Sequence, residues 1–173
     1  MTYMPDNKDI LILGIGNILL KDEGVGVHVV RKLKEFHLPD SVEIIDGGTA
    51  GLDLIDLIVN RKKVIVIDTV KAGDKPGTIY RLTEKNLNIK PKAIMSFHEI
   101  DFLHALYLSE VMGEKPEETI VIGVEPKDIS DDLELSPEIQ ERIPRIIEIV
   151  MKELKNSNCH SEQGEESQQV NSK

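Results

Sequence analysis

Ile10-Leu11-Ile12-Leu13-Gly14-Ile15-Gly16-Asn17-Ile18-Leu19-Leu20-Lys21-Asp22-Glu23-Gly24-Val25-Gly26 is the stretch that decides the fold of this chain. Its first four residues form a short apolar run ending at Gly14, the pattern of a strand buried on both faces. From Gly24 to Phe36, Val25, Val29, Val30, Leu33 and Phe36 recur at helical spacing. Outward from there the alternation repeats. Val42 to Ile45 reads as a second strand ending at Asp46-Gly47-Gly48, and Thr49 is expected to cap a helix running to about Val59. Val64 to Ile67 reads as a third strand ending at Asp68. A βαβαβ order implies a parallel sheet with right-handed crossovers.

The pattern then loosens. Lys71 to Gly77 is a loop, and Thr78 to Leu82 alternates like an antiparallel edge strand. Asn86 to Ser96 has no period and reads as loop. Ser96 and Glu99 form a capping box for a helix to about Met112. Thr119 to Val124 is a fifth strand. Ser136-Pro137-Glu138 starts a last helix, whose face carries Ile139, Ile143, Ile146, Val150 and Leu154. The expected fold is α/β: a three-layer α/β/α sandwich around a twisted, mostly parallel five-stranded sheet. Residues 1–155 form its one domain. Residues 156–173, rich in Ser, Gln, Glu and Asn, are expected to be a disordered polar tail.

Composition narrows the classes. Aromatics are 3% of the chain and Trp is absent, so Ile, Leu and Val must build the core. A formal net charge of −10 repels phosphate backbones, which argues against a nucleic-acid partner. A lone Cys159 allows no internal disulfide and fits a reducing cytoplasm. No apolar run has the length of a membrane helix, and residues 1–9 carry no apolar signal core, so a cytoplasmic protein without membrane insertion is expected.

Gly14-Ile15-Gly16 between a strand and a helix resembles the start of a dinucleotide fingerprint, but Leu19 stands where its third glycine belongs. Asp22 and Glu23 at the helix start would also repel a pyrophosphate. Ligands of open α/β sheets bind at the carboxyl ends of the strands. Acidic residues lie at three such ends: Asp22 and Glu23, Asp46, and Asp68. Asp68, after an all-apolar run, reads as a helix cap, a hydrogen-bond anchor or a ligand. His98 opens the next helix, and imidazole with carboxylates is a common nickel or zinc set. His28, His37 and His104 read as structural or solvated.

The opening motif Gly14 to Gly26 resembles that of the hydrogenase maturation proteases. Asp46-Gly47-Gly48-Thr49-Ala50-Gly51 resembles their second glycine-rich motif, and Val66-Ile67-Asp68 and Ser96-Phe97-His98 resemble the third and fourth. The likeness runs from about Asp9 to Leu154 in matching order. It implies an endopeptidase that removes the C-terminal extension of a nickel-loaded [NiFe] hydrogenase large-subunit precursor, cutting after a His or Arg. It also implies Glu23, Asp68 and His98 as metal ligands. The nickel is expected to come with the precursor, with zinc or cadmium able to substitute.

Asp22 and Asp68 are the candidate catalytic carboxylates, whether hydrolysis is aspartic-type or metal-assisted. Asp46, Gly47, Gly48 and Thr49 are expected to line the substrate cleft. Two other classes remain beside this one: a nickel-binding maturation chaperone without catalysis, and a nucleotide-binding α/β enzyme.

Overall fold

The computed structural model describes residues 8–87 and 97–161. Five strands form one sheet in the order β2-β1-β3-β5-β4. They are β1 (Ile10–Ile15), β2 (Val42–Gly48), β3 (Lys63–Thr69), β4 (Ile79–Thr83) and β5 (Glu118–Val124). β4 alone runs antiparallel, on the edge beside β5. The helices are α1 (Val25–Leu33), α2 (Leu54–Ile58), α3 (Glu84–Leu87), α4 (Phe97–Met112), α5 (Pro137–Gln140) and α6 (Ile143–Ser161).

Strand alternation sorts the core into two layers. Ile10, Ile12, Ile65 and Ile67 face α1, α5 and α6, packing on Val29, Val30, Ile139 and Ile146. Leu11, Leu13, Val64 and Val66 face α2 and α4, packing on Leu54, Ile58, Phe102 and Leu106. This is the expected α/β/α sandwich. The chain winds from β1 outward to β2, then crosses back to β3 on the other side of β1. The switch point of the winding therefore lies between β1 and β3, the place at the carboxyl edge where open α/β sheets bind their ligands.

Four expectations need correction. Thr49 caps nothing: it is exposed, and a 3₁₀ turn (Gly51–Asp53) precedes α2, with no side-chain cap on either element. Gly48 and Gly51 adopt left-handed φ of +47° and +58°, so the chain cannot become helical before Gly51. The last helix is two helices, because Pro144 has no N–H to offer Gln140 and the chain turns at Glu141-Arg142 before α6. α6 also continues through Asn156–Ser161, into the segment expected to be tail. Asn86 and Leu87, expected to open a loop, belong to α3, and the rest of that loop, 88–96, lies outside the described residues with residues 162–173 of the tail.

α1 sits directly on the strand backbones because of Gly26. A Cβ there would lie 2.1 Å from the Ile67 carbonyl oxygen and 2.4 Å from that of Ile15. In a helix interior Ala normally gains up to about 1 kcal/mol over Gly. Here two strand backbones block it, and overpacking reverses the sign. Gly26→Ala is expected to destabilise the fold by about 3 kcal/mol, read as a lowered denaturation midpoint with an unchanged m-value.

Candidate active site at the carboxyl edge of the sheet

β1 leads through Gly16, at φ +135°, into a loop and a 3₁₀ turn (Lys21–Gly24) before α1. That turn holds Asp22 and Glu23, both buried. The turn is tied to the end of β3, since Thr69 Oγ1 donates to the Asp22 carbonyl at 3.0 Å. Asp68, one residue earlier, is 1% exposed and accepts the Thr69 N–H at 2.7 Å through Oδ1. By strand alternation with Val64 and Val66, Asp68 lies on the α2/α4 side of the sheet. Glu23, in the turn that follows β1, and Asp68, at the end of β3, thus come from the two sides of the β1/β3 switch point.

His98 belongs to the first turn of α4, the helix covering the Asp68 face. Its side chain lies outside the described residues. Among the described residues, no three His, Cys, Asp or Glu side chains form a group that could hold a metal ion. The expected set needs His98 as its third member. The two carboxylates suit the oxygen share of a nickel or zinc set; Asp68 comes from the end of β3 and Glu23 from the 3₁₀ turn that follows its neighbour β1.

Asp22 is held by hydrogen bonds on both carboxylate oxygens. Its Oδ1 accepts the Ser136 N–H at 2.7 Å. Its Oδ2 accepts the Ser136 hydroxyl at 2.8 Å and the N–H groups of Lys127 and Asp128, each at 2.9 Å. The Asp22 N–H donates to the Asp128 carbonyl at 3.1 Å. Four donors thus converge on the two carboxylate oxygens of Asp22. These bonds make Asp22 an anchor for segment 126–136. Lys21 reinforces the anchor, with Nζ 2.9 Å from Asp128 and a one-residue bridge between Leu20 and Asp132.

The second glycine motif divides in two. Asp46 is held by Arg31 of α1, whose Nε and Nη2 donate to its Oδ2 at 3.2 and 3.0 Å. Its carboxylate is therefore on the α1 side, across the sheet from Asp68, and the structure does not bring the two together. Gly14 pairs with Asp46 and Ile15 with Gly48, so Gly47 is the extra residue of a β-bulge. A Cβ on Gly47 would lie 2.8 Å from Leu13 Cδ1, on the α2/α4 side. Gly51, further along the motif, approaches Asp101 in the second turn of α4. The motif thus offers backbone, not the Asp46 carboxylate, to the edge where α4 begins. Thr49 is exposed there.

His28 is half-buried on α1, beside Arg31, and its Nε2 has no hydrogen-bond partner among the described residues. Burial first, then the Arg31 charge, lowers its pKa, so it stays neutral at pH 7. His37 and His104 are exposed, as the sequence suggests. Sequence reasoning missed Ser136 and Thr69. Ser136 reads as a helix cap, yet it makes no side-chain cap bond and gives its hydroxyl to Asp22.

The sequence model of a family described as hydrogenase maturation protease matches residues 27–153. The Hydrogenase 2 maturation protease of Escherichia coli is 35% identical over 150 residues, covering 86% of this chain and 92% of that protein. The hydrogenase expression/formation protein HupD of Thiocapsa roseopersicina is 35% identical over 157 residues, covering 87% and 70%. Among solved structures, the hydrogenase maturating endopeptidase HybD from E. coli superposes with a TM-score of 0.79 at 35% identity. That match covers 86% of this chain and 93% of that one.

Proposed function

We propose that this chain, which belongs to the hydrogenase maturation protease family and is a peptidase, removes the C-terminal extension of a nickel-loaded [NiFe] hydrogenase large-subunit precursor. The observation that supports this most is the buried pair Glu23 and Asp68 at the β1/β3 switch point, with α4 and His98 on the Asp68 face.

In this reading Glu23, Asp68 and His98 grip nickel that the precursor already holds, with zinc or cadmium able to stand in. An O, O, N set leaves coordination positions open for the precursor's own ligands. A metal held by these residues would supply Lewis-acid chemistry to the hydrolysis. The chain's residues do the rest. The bulged backbone at Gly47-Gly48 borders the extended peptide beside the site. Asp68, fixed by the Thr69 N–H at 2.7 Å, takes a proton from the attacking water. Asp22 holds the 126–136 segment against the same edge. No helix among the described residues is long and apolar enough to cross a membrane, and the cytoplasm is the proposed place of action.

The test compares purified precursor with and without nickel, following the released C-terminal peptide by mass spectrometry. Release from the nickel-loaded form alone is expected. Binding without release would make the chain a nickel chaperone, and equal release from both forms would overturn recognition through the metal.

A further inference from the structure

α4 is apolar on both sides. Phe102, Ala105 and Leu106 face the sheet and are buried. On the opposite side Tyr107 and Val111, one turn apart, are 63% and 67% exposed, with Leu108 and Met112 exposed beside them. Leu52, in the 3₁₀ turn packed against α4, is exposed as well. The sheet-facing side alone satisfies the fold. A second apolar stripe on a helix already packed is the mark of a protein contact.

The rim of this face is acidic. Asp53 and Asp56 are exposed on the α2 side, where Asp101 approaches Gly51, and Glu110 lies on the other flank. Lys115 is already paired, 2.7 Å from Glu84 and 3.7 Å from Glu110. A symmetric dimer through this face would set acidic rim against acidic rim, at an electrostatic cost. The charge pattern instead fits a different protein with an apolar contact surface and a basic rim. α4 begins at the candidate site, and Tyr107 lies roughly 14 Å along the helix from His98. A folded substrate whose tail enters the cleft would extend across this stripe.

We infer that the outer face of α4, with Leu52, is the docking surface for the body of the large-subunit precursor; this rests on the proteolytic reading above. The full chain carrying both Tyr107→Asp and Val111→Asp is compared with wild type, using the purified nickel-loaded precursor. Affinity is read by titration and peptide release by steady-state kinetics. Kd and KM are expected to rise by about tenfold or more, with kcat at saturation and the melting temperature unchanged, since both side chains are exposed. Asp56→Lys, on the rim, is expected to weaken binding in low salt and less so in high salt. Unchanged Kd and KM in the double variant would overturn the inference. So would a wild-type dimer in sedimentation that the variant dissolves, because a second copy would then own the face. If wild type binds the precursor but releases no peptide, the proteolytic reading fails, while the Kd of the variant still decides the docking surface.

Discussion

Asp68→Asn is expected to leave a folded protein that releases the C-terminal peptide about 10²–10⁴-fold more slowly than wild type. Asparagine keeps the shape and can still accept the Thr69 N–H, now made at 2.7 Å. It cannot take a proton and is a poor metal ligand. Asp68 is 1% exposed, and the isosteric asparagine keeps the packing of the buried site. The check is kcat and melting temperature on one preparation. A kcat within about threefold of wild type would remove Asp68 from the chemistry.

Asp22→Ala acts on stability instead. Four donors, from Ser136, Lys127 and Asp128, lose their acceptor at a buried position. Each unsatisfied buried donor costs about 1–3 kcal/mol, with water recovering part of the sum as the segment loosens. The net loss is about 3–5 kcal/mol, a fall of about 10 °C in melting temperature for a domain of this size. Asp22→Asn separates anchor from base. It retains one acceptor oxygen, so below its melting temperature it should cut within about tenfold of wild type, whereas loss of a general base costs about 10²–10⁴. Cleavage lost to that extent in a folded Asp22→Asn protein would return Asp22 to the catalytic group.

The contrast between these two carboxylates shows what the sequence could carry. Strand runs such as Val64 to Ile67 and the periodic Val25 to Leu33 report their own burial, because alternation and helical period are local properties. The mostly parallel sheet follows from them, and the pairing of β1 with β3 brings the turn carrying Glu23 beside the strand that carries Asp68. The partner of Asp22 is not local. Ser136 is 114 residues away, and nothing at Asp22 distinguishes an anchor from a base. The side of the sheet that Asp46 takes is hidden for a related reason. The bulge at Gly47 and the reach of Arg31 from α1 turn its carboxylate away from the α4 side, and neither is visible in the motif Asp46-Gly47-Gly48. The split between α5 and α6 was legible in Pro144, but the apolar period of Ile139, Ile143 and Ile146 runs through the break and hides it.

The metal-recognition account comes down to His98, which the resemblance names and which α4 carries in its first turn. The most direct measurement incubates His98→Ala with nickel-loaded precursor and follows the released C-terminal peptide, with metal binding titrated on the same protein. The account predicts that metal binding and peptide release are lost together in a protein that melts as wild type does. Peptide release at the wild-type rate would contradict it.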